Sequence, residues 1–332
     1  MIRPLAGTSP PAAGYDADII ILSLGRAAET EAAIRSALAQ AGLSRHVIVL
    51  DQGSDAETLG RLADLIAGRG DALLAVSAEN LGVAGGRNAA SALGAGRAII
   101  ALDNDAVFAD EETAARATAL LEAEPDLAAI GFRILNRGGR VDDLASWGYP
   151  AGLLPMAGER FEAATFVGAG HAIRRGAWDA LGGYDAALFF TWEEFDFALR
   201  AIEAGWRLLH AGDIAVHHGL AEGARVTWQG QRWRFYLRNR LYIARKWQTP
   251  APALALRAAA YAVKSLRIGL PRQGLRGLRE GLTLPLPAPP RPLSAAARAY
   301  LHRADGIWRG GLWQRLRREV WSALPGPDSS PR

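Results

Sequence analysis

Two aspartates end an uninterrupted apolar run: Ala98-Ile99-Ile100-Ala101-Leu102 leads straight into Asp103-Asn104-Asp105. Residues i and i+2 of an extended segment point to the same side. Their carboxylates can therefore converge on one Mg²⁺ or Mn²⁺ and leave its remaining positions to water and phosphate. A further carboxylate, Asp51, ends the apolar run His46 to Leu50. It can accept from a nucleobase N–H or a ribose hydroxyl. Between these aspartates lies Asn80-Leu81-Gly82-Val83-Ala84-Gly85-Gly86-Arg87-Asn88. Its glycines let backbone approach a ligand closely, and Arg87 can reach a phosphate. The glycine spacing matches neither G-x-G-x-x-G nor a loop ending in G-K-[ST], so a dinucleotide-binding turn and a P-loop are unsupported.

The elements that must hold these groups are legible around them. Asp18 to Leu24, His46 to Asp51, Ala72 to Val76 and Ala98 to Leu102 are apolar runs without alternation, the mark of strands buried on both faces. Helical patterns separate them over 29–41 and 56–67, the second opened by Asp55 as N-cap. Strand and helix alternating in this way predict an α/β fold with a doubly wound, mostly parallel sheet. Ligands bind such sheets at the carboxyl ends of the strands, which is where Asp51, Asp103 and Asp105 fall. With 332 residues, half of them hydrophobic, the chain can bury a large α/β core and an extension. It has no cysteine, which excludes disulfides and thiolate metal sites.

The second half adds further motifs. Phe166-Val167-Gly168-Ala169-Gly170-His171 is followed by Leu181-Gly182-Gly183-Tyr184-Asp185. Trp192-Glu193-Glu194-Phe195-Asp196 precedes Arg200, and Arg238-Asn239-Arg240 comes later. With Asp51, Asn80-x-Gly82, Gly86-Arg87-Asn88 and Asp103-Asn104-Asp105, this order resembles the family 2 glycosyltransferases, including their rhamnosyltransferase-like members. The resemblance runs from about Asp18 to about His218. It implies the GT-A fold and inverting, metal-dependent transfer of a sugar from a nucleoside-diphosphate sugar, of the UDP or dTDP type, to an acceptor hydroxyl. The metal would be Mg²⁺ or Mn²⁺, held by Asp103, Asp105 and a histidine after the short strand Ile214 to Val216. Spacing favours His218 there, and since neighbours in a strand face opposite ways, His217 and His218 cannot both serve. Donor contacts would come from Asp51, Asn80, Gly82, Arg87, Asp103 and Asn104. For the general base the candidates are Glu194, then Glu193, then Asp196. The family carries Glu-Asp where this chain has Glu193-Glu194. These acids also suit a helix N-terminus, and Asp196 with Arg200 has the spacing of an ordinary helix ion pair. Gly170, His171 and Trp192 fall on the acceptor side, although a lone His such as His171 equally fits a place in the core.

Charge divides the chain. Residues 1–224 carry 17 Lys+Arg against 30 Asp+Glu, and residues 225–320 carry 20 against 3. The expected organisation is a flexible tail over 1–16, a catalytic domain over 17–225 and a basic helical extension over 226–284. A stiff Pro-rich linker over 285–292, an amphipathic helix over 293–324 and a tail over 325–332 complete it. The basic helices carry six of the ten tryptophans, which points to an anionic membrane surface as partner, or else to packing on the catalytic domain. Such a surface would suit a glycan or lipid-linked acceptor in bacterial-type surface polysaccharide biosynthesis. No nucleic-acid reading module accompanies the charge. With no secretion signal and no spanning segment, the expected place is the cytoplasm, with peripheral attachment at the inner face of the cell membrane. Two alternative readings are a nucleotidyltransferase and a non-catalytic sugar-nucleotide-binding module.

Overall fold

A computed structural model describes residues 1–219, 230–311, 313–314 and 320–321. The chain begins with β1 (Ile2–Gly7), followed by β2 (Ala17–Ser23), α1 (Ala27–Leu38), β3 (Arg45–Asp51), α2 (Ala56–Ile66) and β4 (Ala72–Ser77). Next come α3 (Gly82–Ser91), β5 (Ala98–Leu102), β6 (Ala106–Phe108), α4 (Thr113–Ala123), β7 (Leu127–Asn136) and β8 (Arg160–Glu162). The sheet-bearing part closes with β9 (Gly170–Arg174), α5 (Arg175–Leu181), α6 (Glu193–Glu203) and β10 (Arg207–His218). Beyond it lie α7 (Gly230–Lys246), α8 (Ala251–Arg267), α9 (Pro271–Thr283) and α10 (Ala295–Ala304).

One sheet runs β1-β4-β3-β2-β5-β9-β7-β10-β6, with β8 on β10. The block β4-β3-β2-β5 is parallel, as the unbroken apolar runs require, and Ile19, Val47, Leu74 and Ile100 are shut into the core. Beyond β5 the sheet is mixed: β9 is antiparallel to both β5 and β7, while β7 and β10 are parallel. Asp55 accepts from the Thr58 amide at 2.8 Å and caps α2 as expected.

Three expectations are corrected. The stretch over 1–16 is not a flexible tail: β1 pairs antiparallel with β4 and closes that sheet edge. Its Pro4 stands at a register shift, which is how an edge strand tolerates proline. The Pro-rich stretch over 285–292 is non-helical but is not a free spacer. Leu284, Leu286 and Leu293 pack on Tyr242, Ile243 and Trp247. Arg245 Nη1 donates to the Leu284 carbonyl at 2.9 Å, so the stretch is strapped to α7. The helix expected over 293–324 stops at Ala304. There α10 docks on the sheet, with the Tyr300 hydroxyl donating to the Ala163 carbonyl and accepting from the Leu208 amide. The boundary near 225, Trp228 and the tail over 325–332 lie outside the described residues.

α9 owes its place to glycine. A Cβ on Gly277 would lie 2.6 Å from the Arg234 carbonyl oxygen, and one on Gly281 would lie 2.7 Å from that of Arg238. Only a glycine stripe lets α9 sit this close to α7.

Candidate active site

The crevice follows from strand order. From β2 the chain steps outward through β3 and β4, then returns to β5 on the other side of β2. The carboxyl ends of β2 and β5 therefore leave a gap. A cavity of about 1000 Å³ fills it. Its floor is Ser23 and Arg26 after β2 and Asp103 to Asp105 after β5. Asn80, Gly82 and Arg87 form one side, and Arg232, Arg234, Arg272 and Arg276 of α7 and α9 form the opposite wall.

Asp103, Asp105 and His218 converge, each offering one ligand atom, all within 4.8 Å of one another. His218 arrives because β10 pairs antiparallel with β6 directly after the aspartates, setting His218 opposite Ala106. His217 faces the other way, toward Gly139. The His218 Nδ1 lies 2.9 Å from Asp143 Oδ2. A carboxylate there holds the proton on Nδ1 and leaves Nε2 for a cation. Two carboxylate oxygens with one imidazole nitrogen suit Mg²⁺ or Mn²⁺. Burial disfavours the imidazolium, yet hydrogen bonds to Asp105 and Asp143 push the His218 pKa up to about 10. Burial would raise the Asp105 carboxyl, but His218 and Arg26 outweigh it and hold it at about 2. A divalent cation would meet the same negative field that now favours these positive neighbours.

Arg26 and Asp143 are site residues that sequence reasoning missed. Arg26 Nη1 lies 2.6 Å from Asp105 Oδ2, and its backbone is left-handed at φ 54 at the start of α1. Gly25-Arg26 after the first strand was a faint signal. Asp143 lay in a stretch without readable pattern.

Arg87 is the hinge of the chemistry. It is buried, and its guanidinium donates to Glu194 Oε1 at 2.8 Å, to Asp103 Oδ1 at 2.8 Å and to the Gly168 carbonyl at 2.7 Å. One fork thus spans the strand-end aspartate and the glutamate of α6. Gly168 has no side chain because a Cβ there would run into Glu194 Oε1. Glu193 is 3 % exposed and its Oε2 has no hydrogen-bond partner among the described residues. Burial and the neighbouring Glu194 charge raise its carboxyl well above the ordinary range. Burial also raises Glu194, but Arg87 opposes the shift. Both carboxyls are thus raised, and of the two it is Glu194 that the Arg87 guanidinium is hydrogen-bonded to.

The segment before α6 is strained and then pinned. Phe189, Thr191 and Trp192 all have positive φ, between 60 and 73. Asn239 Nδ2 on α7 donates to the carbonyls of Leu188, Phe190 and Thr191, each at 2.8 Å. Arg238 Nη2 donates to Ala187 and Leu188. The Phe189 carbonyl in turn accepts the Val83 amide at 2.6 Å and occupies the N-terminus of α3. Strain of this kind persists only where the surroundings over-determine it, and it concentrates at functional sites.

Several expected roles move. Gly82 lines the cavity at φ 71, but a Cβ on it would collide with Phe189, so its need for glycine comes from that packing. Asp51 is fully buried. Its carboxylate accepts from the Gly53 and Ser54 amides, each at 3.0 Å, and from the Ser54 hydroxyl, so it braces the turn after β3 and does not line the cavity. Asp196 is fully buried between Arg200 at 2.9 Å and Lys246 at 2.9 Å, which removes it from the catalytic set. His171 is a core residue. Its Nδ1 donates to the Val167 carbonyl and its Nε2 accepts from the Tyr184 hydroxyl at 3.0 Å, with burial pushing its pKa well down. Gly170 faces Val216 and Phe132, and Trp192 packs under Arg240 with its Nε1 on the Tyr236 carbonyl. None of these three lines the cavity, and Glu193 and Glu194 do not line it either, Glu194 meeting it only through Arg87. Asn80 and Asn104 do.

The chain matches the glycosyl transferase family 2 model over residues 18–182. No curated protein matches it in sequence. Solved structures similar in fold include a mannosyltransferase, PcManGT from Pyrobaculum calidifontis, in complex with GDP-Man and Mn²⁺. It is 17 % identical at a TM-score of 0.56, with 96 % of this chain and 88 % of that one covered. GalNAc-T7 with UDP, GalNAc and Mn²⁺ is 16 % identical at a TM-score of 0.55, covering 80 % of this chain and 54 % of that one. TarS of S. aureus is 15 % identical at 0.51, covering 71 % and 40 %. These likenesses are likenesses of fold. The family match, over residues 18–182 that carry Arg87, Asp103 and Asp105, makes this chain a member of glycosyl transferase family 2, a glycosyltransferase, and the solved structures give it the GT-A fold.

Proposed function

We propose that the enzyme moves a sugar from a nucleoside-diphosphate sugar to an acceptor hydroxyl with inversion, in the assembly of a surface glycan at a membrane face. The observation that carries this is the Arg87 fork, which sets Glu194 one guanidinium away from Asp103. In the reaction the acceptor oxygen attacks the anomeric carbon as the bond to the diphosphate breaks. Glu194, held by Arg87, takes the acceptor's proton. A divalent cation held by Asp103, Asp105 and His218 would neutralise charge on the departing diphosphate. Arg26 and Arg232 stand over the same end of the cavity and offer guanidinium donors to phosphate oxygens. Asn104 and Asn80 present amides to ribose or base. The solved neighbours carry GDP-Man in one case and UDP in another, which supports a nucleoside-diphosphate donor, to be sought among UDP, dTDP and GDP sugars. Neither alternative reading has an observation of its own in this site, and the family match favours sugar transfer over both.

The test is release of free nucleoside diphosphate from a panel of UDP-, dTDP- and GDP-sugars with Mn²⁺. Wild type releases nucleotide from at least one donor, and Glu194→Gln lowers the rate at least a hundredfold, in line with the loss of a general base. Undiminished release by Glu194→Gln removes Glu194 from the mechanism. Silence of wild type across the panel removes the donor class.

A further inference from the structure

The helix α8 wears its apolar side outward. Pro252, Leu256, Ala259, Val263 and Leu266 are all exposed, and they recur at the three- and four-residue spacing of one helix face. Its inward side is Tyr261, Lys264 and Ser265, packed on Trp233 of α7 and Gly274 of α9. α9 repeats the arrangement. Gly277 and Gly281 face α7, and Leu275 and Leu282 are exposed, Leu275 by 70 %. A helix on a water-facing surface ordinarily turns this stripe toward the core.

The charge around this face has one sign. Arg267, Arg272, Arg276 and Arg279 are exposed on the same two helices. The single carboxylate of residues 225–304, Glu280, is already bonded to Arg234 at 2.7 Å and to Arg276 at 3.0 Å. The Trp321 ring, 61 % exposed, lies 5.3 Å from the Arg267 guanidinium. Leucines beside a cluster of exposed arginines in excess over carboxylates, and an exposed indole, complement the apolar boundary and phosphate layer of an anionic leaflet. A second copy of the chain fits poorly, because a twofold contact must be self-complementary and would set these arginines against one another. No described helix is long and apolar enough to cross a membrane.

We propose that the outer face of α8 and α9 is the docking surface for an anionic bilayer. Arg272, Gln273 and Arg276 of α9 also line the cavity, so one helix joins this surface to the active site. Docking therefore brings the cavity mouth to the lipid headgroups, where a hydroxyl on a lipid carrier can enter. That last consequence rests on the proposed sugar transfer, whereas the binding itself does not.

The experiment is flotation of the full chain with vesicles of phosphatidylcholine alone and of phosphatidylcholine with phosphatidylglycerol. The chain floats with the anionic vesicles only, and raised salt weakens the association. Leu256→Asp with Leu266→Asp, and separately Arg279→Glu, reduce bound protein at least tenfold. Both variants keep the wild-type thermal midpoint, which separates lost docking from lost folding. Absence of flotation, equal flotation with neutral vesicles, or equal flotation by the variants overturns the proposal. So does a dimer in light scattering that Leu256→Asp with Leu266→Asp dissolves, which assigns the face to a second copy. Flotation as expected from a chain that releases no nucleotide upholds the surface and rejects the transfer reading instead.

Discussion

Replacing Arg87 by glutamine tests the fork on which the site depends. The wild-type guanidinium is 5 % exposed at the side chain and lies 2.8 Å from both Glu194 Oε1 and Asp103 Oδ1. At charge separations of about 4 Å and an effective dielectric near 20, each attraction is worth about 4 kcal/mol before desolvation is subtracted. Removing one partner of a buried ion pair costs about 3–5 kcal/mol, because the other is left uncompensated. Arg87→Gln should lose that much in urea unfolding at pH 8. The loss has a pH signature. Without Arg87 the Glu194 carboxyl, already raised by burial, rises further. A carboxyl raised in the folded state keeps its stability below its ordinary range and loses it as pH climbs through the folded value. The deficit against wild type must therefore grow from pH 5 to pH 8. Adding Glu194→Gln removes the stranded charge and should restore part of the loss. A deficit under about 1 kcal/mol at pH 8, a deficit that shrinks with rising pH, or a double variant no better than Arg87→Gln would refute the reasoning.

Other consequences can be measured as directly. Asp105→Asn should abolish the rise in thermal midpoint that Mn²⁺ with a nucleoside diphosphate gives wild type, since it removes one of three ligands. Retained Mn²⁺ stabilisation would place the cation elsewhere. The same exchange of glycine for alanine should act with opposite signs at two helical sites. Gly60→Ala in α2 meets nothing within 4 Å and should gain roughly 0.5–1 kcal/mol from helix propensity, whereas Gly281→Ala meets the Arg238 carbonyl at 2.7 Å and should lose about 1–3 kcal/mol. Asn239→Ala withdraws the amide that pins Leu188, Phe190 and Thr191. It should cost about 1–3 kcal/mol and lower the rate of nucleotide release more than donor affinity, because the glutamates of α6 follow that segment. Wild-type kinetics in a folded Asn239→Ala would show that the strained segment does not position Glu194.

What the sequence by itself determined is the part governed by local period and by burial on two faces. The unbroken runs at Ile19, Ile48 and Ile100 can only be interior parallel strands, and a strand's end then fixes where Asp103 and Asp105 stand. The period of two allows only one of His217 and His218 to serve, and the pairing of β10 with β6 brings His218 to the aspartates. Trp233, Leu237 and Leu241 recur every four residues, and α7 buries all three. Tertiary structure decided everything that depends on partners distant in sequence. Local pattern offers the same reading for Glu193 and Glu194, and the hydrogen bond from Arg87, reaching over from α3, is what sets Glu194 apart. Asp196 and His171 carry chemically able side chains, yet Lys246 and Tyr184 claim them from other elements. Residues 2–7 lack the composition of a strand and become one because β4 presents an unpaired edge. Gly277 and Gly281 look like helix breakers until α7 lies against them, and Gly274 until Ser265 of α8 does. A side chain's type states what it can do; its role is set by which charges, hydrogen bonds and surfaces the fold brings within about 3 Å, and those contacts have no signature along the chain.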